Sequence, residues 1–200
     1  MSVVVEDLGV ASSSQFNSSY VGVLADAPSL TAPVVPPTKT YERTFNSSSW
    51  GSFYGTGAAV GSSSMYYNVV TQGQSPTGSG TQGAARGLWT FPSITSELSG
   101  ATVDAMQIYI TNQHTRWSTG ATAYLFAHGY SSVPATLGAS TSNQITQAFA
   151  KGQGIWITIP SSHFASWKSG AMRGYGLYTT GTDNYGYWAP SAQLWVRYTK

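Results

Sequence analysis

From Tyr41 onward the apolar runs of this chain are short, and they stop at a glycine, a proline or a polar cluster. Gly154-Ile155-Trp156-Ile157-Thr158-Ile159 alternates and ends at Pro160; Arg86-Gly87-Leu88-Trp89-Thr90-Phe91 alternates and ends at Pro92. Runs of this length with period two are strands, and Gly or Pro at their ends are turns. A helical bundle or coiled coil needs long stretches of Ala, Leu, Glu and Lys, and this chain has only 8% charged residues where about 25% is ordinary. Aromatics reach 14%, and Ser and Thr make up about a quarter of the 200 residues. Aromatics suit the pleat, and small polar residues suit turns.

Further strands are expected at Met65–Val70, Thr102–Ile110, Ala121–His128, Gly174–Tyr178 and Ala192–Tyr198. Within Thr102–Ile110 the apolar candidates Val103, Ala105, Ile108 and Ile110 change phase, which predicts an irregularity near Met106-Gln107. The spacing is that of an all-β antiparallel sandwich over residues 41–200. Its predicted core draws on Leu88, Phe91, Val103, Ile108, Ile110, Leu125, Trp156, Ile159, Leu177, Leu194 and Val196. Two segments read as helical turns. Ser93–Leu98 has a Ser start with Ser96 and Glu97 following, and Ser161–Gly170 has Phe164 and Trp167 three apart with a glycine stop.

Residues 1–40 differ. They hold Pro28, Pro33, Pro36 and Pro37, no Trp, and apolar pieces too short for a core, Val3–Val5 and Tyr20–Leu24. Thr31–Pro37 should run extended. The segment reads as an N-terminal anchoring arm and Pro-rich linker that docks on other subunits, with a floppy N-terminus as the plainer alternative. Met1–Asp7 has no basic region and no long apolar run, so no export signal is expected and release by lysis, on a virus particle, fits. No membrane insertion is expected, because no apolar stretch reaches 18 residues.

The chemistry of a catalyst is sparse. There is no Cys, which removes disulfides, thiolate metal sites and a thiol nucleophile. Past Phe45 the acids are Glu97, Asp104 and Asp183, none in a motif, whereas hydrolases need matched carboxylates or a nucleophile with a base. His114, His128 and His163 lack metal-ligand spacing, and no nucleophile elbow occurs. Asp183-Asn184 is the best local calcium candidate, though calcium wants more acids. The loop Gly73–Gly83 lacks the Lys and helix of a phosphate loop, and the basic residues are scattered, so neither a cofactor nor nucleic acid is expected. Arg86, inside an apolar strand, is expected to be half-buried against carbonyls or a carboxylate. The expectation is no enzyme, no catalytic residue, no metal and no cofactor.

Two aromatic groups read as loop-borne: His114-Thr115-Arg116-Trp117 and Asp183-Asn184-Tyr185-Gly186-Tyr187-Trp188. From them His114, Arg116, Trp117, Asp183, Tyr185, Tyr187 and Trp188 form the candidate binding set. Three roles fit: stacking on a sugar, contact with another subunit, or capping the core, since Tyr, Trp and Arg are favoured interface anchors.

The order of several motifs carries a resemblance. Arg86–Pro92 followed by Leu98-Ser99-Gly100-Ala101-Thr102-Val103-Asp104-Ala105-Met106-Gln107-Ile108-Tyr109-Ile110 resembles the DNRLRE-type jelly-roll pattern. His114–Tyr124, His128–Pro134, Trp156–Pro160, Gly174–Leu177 and Tyr185–Trp188 resemble the C-terminal domains of actinobacteriophage minor tail proteins. The resemblance spans about Tyr41 to Lys200. It implies a jelly-roll β-sandwich on a phage virion, at the tail or as capsid decoration or fibre. It also implies a homo-oligomer, such as a trimer, and a role in binding host glycan. Virion localisation, and partners reached through residues 1–40, are expectations on the same footing.

Overall fold

The computed structural model describes residues 38–75, 83–92, 94–142 and 144–200. The arm expected over residues 1–40 lies outside them up to Pro37, as do the middle of the Gly73–Gly83 loop and Ser93 of the expected helix start. The chain divides into two units, Met1–Pro37 and Thr38–Lys200.

The second unit is an all-β antiparallel sandwich. Its strands are β1 (Thr40–Asn46), β2 (Ser49–Phe53), β3 (Val70–Gln72), β4 (Arg86–Thr90), β5 (Thr102–Thr115), β6 (Ala121–His128), β7 (Ile145–Phe149), β8 (Gly154–Thr158), β9 (Gly174–Tyr178), β10 (Gly186–Trp188) and β11 (Gln193–Thr199). One sheet runs β1-β11-β5-β10-β3 with β8 on the free side of β5; the other runs β2-β4-β9-β6-β7. Setting aside β2, β3 and β10, the remaining eight strands in chain order fall as 1-8-3-6 and 2-7-4-5. That is the jelly-roll arrangement, built from two Greek keys. β10 and β11 lie along the same side of β5, Gly186 opposite Thr115 and Thr199 opposite Thr102. They are one strand interrupted at 189–192, and the Ala189 N–H still donates to the Thr111 carbonyl at 2.9 Å.

The sheets close on a core that includes Trp89, Leu125, Phe149, Tyr175 and Leu177 from one side and Met106, Ile108, Ile110, Ile157, Trp188, Leu194 and Val196 from the other. Leu88 points the opposite way from Trp89. It joins Phe53, Phe126 and Leu137 in a second small cluster on the outer face of the β4 sheet. Both expected helical turns form. α1 (Ile94–Glu97) and α2 (Phe164–Ser169) pack together and close one end of the sandwich, with Ile94, Leu98 and Trp167 buried. α2 stops at Gly170, whose φ of 76° is the left-handed conformation glycine adopts without a Cβ penalty.

Three sequence expectations need correction. Trp156 is 40% exposed and stands on the outer face, because Ile157 and Ile159 take the inward positions of its run. In a strand, neighbours face opposite ways, so Trp156 and Ile159 cannot share a core. The irregularity in β5 sits at Asp104, where the register against β11 shifts between Arg197 and Tyr198. The extra residue turns Asp104 and Ala105 outward while Val103, half-buried, and Met106 both stay on the core side. Met65–Asn68 form turns, and only Val70 begins a strand there. The pattern does not mark β7 as a strand, because Ile145-Thr146-Gln147-Ala148-Phe149 is short, breaks period two with adjacent Thr146 and Gln147, and lies at an edge of its sheet.

Arg86 behaves as expected. Its guanidinium donates to the carbonyls of Gly55 (2.6 Å) and Leu137 (3.2 Å) and lies 4.8 Å from the centre of the Tyr178 ring.

Candidate functional site

The far end of β5 carries a second irregularity. Tyr187 pairs with His114 and Trp188 with Asn112, so Gln113 is the extra residue. Unbroken alternation would carry His114, two residues after Asn112, into the core. The bulge breaks that alternation, so His114 stands on the outer face beside Tyr187 and Thr115 turns inward. The imidazole stacks on the Tyr187 ring at 4.7 Å between centroids and 12° between planes. Tyr185 meets the same imidazole edge-on at 6.1 Å. Partial burial, then the nearby positive charge of Lys151, lowers the pKa of His114, which favours the neutral ring.

The chain then turns tightly. The Thr115 hydroxyl donates to the Trp117 carbonyl at 2.6 Å, and the Gly120 N–H donates to the same carbonyl at 3.1 Å. Gly120 has φ 114°, and a Cβ there would lie 1.9 Å from the Phe149 carbonyl oxygen, so only glycine fits. This turn presents Trp117, 48% exposed, with the Arg116 guanidinium 4.4 Å from its ring centre. Arg116 also pairs with Asp183 at 3.4 Å, and its backbone N–H donates to the Tyr185 carbonyl at 3.0 Å. Tyr185 is buried, and its hydroxyl donates to the Tyr66 hydroxyl at 3.0 Å. Burial and then the Tyr66 hydroxyl and its charge push the ionisation of Tyr185 upward, so it stays a neutral phenol.

His114, Arg116, Trp117, Asp183, Tyr185 and Tyr187 are therefore brought together at one end of the sandwich, from two segments about 70 residues apart. Trp188 is not among them. It is fully buried and packs edge-on against Phe149 at 6.0 Å, so of its three candidate roles it takes the core one.

Sequence reasoning misses the residues that hold this end in place. Gln72 is fully buried; its amide N–H groups donate to the carbonyls of Thr122 (2.7 Å) and Asn184 (2.8 Å), and its oxygen accepts from the Tyr124 N–H (2.8 Å). Asn184, half of the calcium candidate, is occupied differently: its side-chain oxygen accepts from the Thr122 N–H at 2.9 Å. Nothing in a local pattern marks a buried amide that ties distant strands. Tyr66, whose β-rich neighbourhood predicts a strand, contributes from a turn.

The three acids past Phe45 stand apart. Glu97 accepts from the Tyr198 hydroxyl, Asp104 from Thr199 at 3.1 Å, and Asp183 from Arg116. Among the described residues no group of three His, Cys, Asp or Glu is gathered to hold a metal, and no helix is long and apolar enough to cross a membrane. The chemistry the cluster offers is contact: flat ring faces, a guanidinium and an exposed carboxylate. Comparison with known proteins finds no family model and no curated protein that matches the chain.

Proposed function

We propose that the chain is a non-enzymatic structural protein of a bacteriophage virion, a minor tail, capsid decoration or fibre protein. It is attached through its N-terminal segment and displays the jelly roll outward. The observation that carries this reading is the separation of two ends. The sandwich begins at the ladder where the Lys39 N–H donates to the Lys200 carbonyl (2.7 Å) and Lys200 returns the bond to Lys39 (3.0 Å), beside the Thr102 end of β5. The aromatic cluster lies at the Thr115 end of the same 14-residue strand, about 40 Å away at ordinary strand rise. Attachment at one end and ring faces at the other suit a displayed module. A Pro-rich sequence loses little entropy on docking, and Val3–Val5 and Tyr20–Leu24 are by composition β-prone pieces able to add to a neighbour's sheet edge.

Deleting residues 1–37 tests it. The ladder starts at Lys39, so the truncated domain should stay folded, with an unchanged β-type circular dichroism spectrum, and should be missing from purified particles. Normal incorporation of the truncated chain would put the anchor elsewhere.

A second reading, host adsorption through carbohydrate, is favoured by the exposure of Trp117 with Arg116 against its ring. Trp117→Ala separates the two uses of that end. Weaker adsorption to host cells at unchanged sedimentation mass marks a host-facing surface; a changed mass marks contact between copies, such as a trimer.

A further inference from the structure

The outer face of the β1-β11-β5-β8 sheet carries a second aromatic surface, separate from the cluster at its end. Register sets it out in two adjacent rows. In one, Gln193, Tyr109 and Trp156 lie side by side on β11, β5 and β8; in the next, Trp195, Gln107 and Thr158 do so. All six face away from the core, since Leu194, Val196, Ile108, Ile110 and Ile157 take the alternate positions.

Two details show how the rings are held. Trp156 is 40% exposed and packs against Tyr109 with centroids 5.2 Å apart. Tyr109 lies down across the sheet: a Cβ on Gly154 would fall 2.0 Å from its hydroxyl oxygen and 2.6 Å from Cζ. The missing side chain at Gly154 is the space that ring tip occupies. The rows contain no charge. Among the described residues the charged groups near this face flank the rows: Glu42, Arg197 and Asp104 toward one end of the strands, Asp104 bordering the groove of Gln107, Thr158 and Trp195, and Lys151 near His114 at the other.

We propose that this face binds an uncharged oligosaccharide along its two rows. Sugars offer C–H faces whose positive edges match the negative face of an aromatic ring. Their hydroxyls both donate and accept, as do the amides of Gln107 and Gln193 and the hydroxyl of Thr158. An anionic ligand finds no cation in either row, and the carboxylate of Asp104, which borders the groove of Gln107, Thr158 and Trp195, repels it further. Trp156 and Trp195 are two strands and one row apart, about 12 Å, so a chain of several sugars is needed to reach both. The binding does not rest on the virion reading, because the face belongs to the folded domain itself.

Native gel electrophoresis of the full chain tests it, with one soluble polysaccharide cast in each gel: dextran, mannan, galactan and arabinogalactan as neutral probes, alginate and dextran sulfate as anionic ones. At least one neutral polymer should retard the protein and the anionic ones should not. Trp156→Ala should weaken that retardation about tenfold or more. Tyr109→Ala should weaken it too, and Trp156→Phe should restore part of it. Melting curves confirm that each variant is folded; if Tyr109→Ala is not, the two Trp156 variants carry the test. Retardation by no neutral polymer, retardation unaltered in Trp156→Ala, or retardation by the anionic polymers alone would overturn the proposal. So would a change of sedimentation mass in Trp156→Ala, which would make the face a contact between copies.

Discussion

Trp188→Ala should lower the free energy of unfolding by about 3–5 kcal/mol, while Trp117→Ala should change it by less than about 0.5 kcal/mol. The two residues read alike in the sequence, each a tryptophan in a polar, glycine-bearing stretch. Trp188 is fully buried, packs on Phe149, and pairs across β10 with Val70 and Asn112. Its indole N–H has no hydrogen-bond partner among the described residues, so truncation leaves no polar group newly unpaired. What is lost is ring contact, and what is gained is a cavity between the sheets. Trp117 stands nearly half exposed on a turn. Urea melts of the two variants, with the unaltered chain beside them, check the contrast. A Trp188→Ala midpoint within experimental scatter of the parent would mean that Trp188 is not part of the core.

The second large effect is with pH. His128 is buried at the end of β6, with its Nε2–H donating to the Trp89 carbonyl at 3.1 Å and its Nδ1 accepting from the Tyr130 N–H at 3.2 Å. That pair of bonds suits the neutral ring. A Cβ on Gly174 would come within 2.5 Å of the imidazole, so the ring lies directly on the β9 backbone. Burial pushes the pKa of His128 down to about 4, against the smaller opposing effect of the backbone bonds. The unfolded chain takes up the proton near pH 6.5. Between those values the unfolded state binds more protons, so stability rises with pH. The contribution is complete above about pH 6.5 and is lost as pH falls through about 4, on the order of 3 kcal/mol in all. His114 and His163 are shifted the same way, chiefly by partial burial, and add to the slope. Carboxylates titrate in the same window, so the useful quantity is a difference. His128→Asn should show a shallower fall in urea-melt stability between about pH 6.5 and 4 than the parent. Parallel curves would place the buried proton elsewhere.

Both predictions turn on which way a side chain faces, and that is the least legible part of the molecule. The alternation of Gly154–Ile159 marks a strand, and its stop at Pro160 marks the end. It does not tell whether Trp156 or Ile157 points inward, because either phase buries large apolar groups. The facing strand decides: β5 opposes Ile157 with Ile108 and Trp156 with Tyr109, and Ile108 has the core behind it. In β5 the pattern is broken twice, at Asp104 and Gln113, and each break reverses the inward–outward parity of the residues beyond it. The composition near Met106-Gln107 hints at the first break and misplaces it by two residues. Nothing local hints at the second, yet it puts His114 on the surface with Tyr187.

The candidate cluster is legible in part. Six of its residues stand out by their proximity to glycine and to other aromatics in two segments that read as loops; His114 and Tyr187 lie instead on strands, β5 and β10, because those strands run on into the segments. That the two segments meet depends on β10 pairing with β5 across some 70 residues, and on Gln72 and Asn184 bonding to β6. Long-range pairs of that kind leave no periodic trace in either partner.

Period, stops and composition were therefore enough for the class of fold, for most strands and both helical turns, and for the glycine at the end of α2. Each of these is set by the conformational preference of residues close together in the chain. The jelly-roll order of the strands, the inward face of Trp188, the outward faces of Trp156 and His114, and the meeting of the two aromatic segments were settled by contacts between distant parts of the chain. A strand's hydrophobic period fixes which residues share a face, but the core it packs on chooses the face.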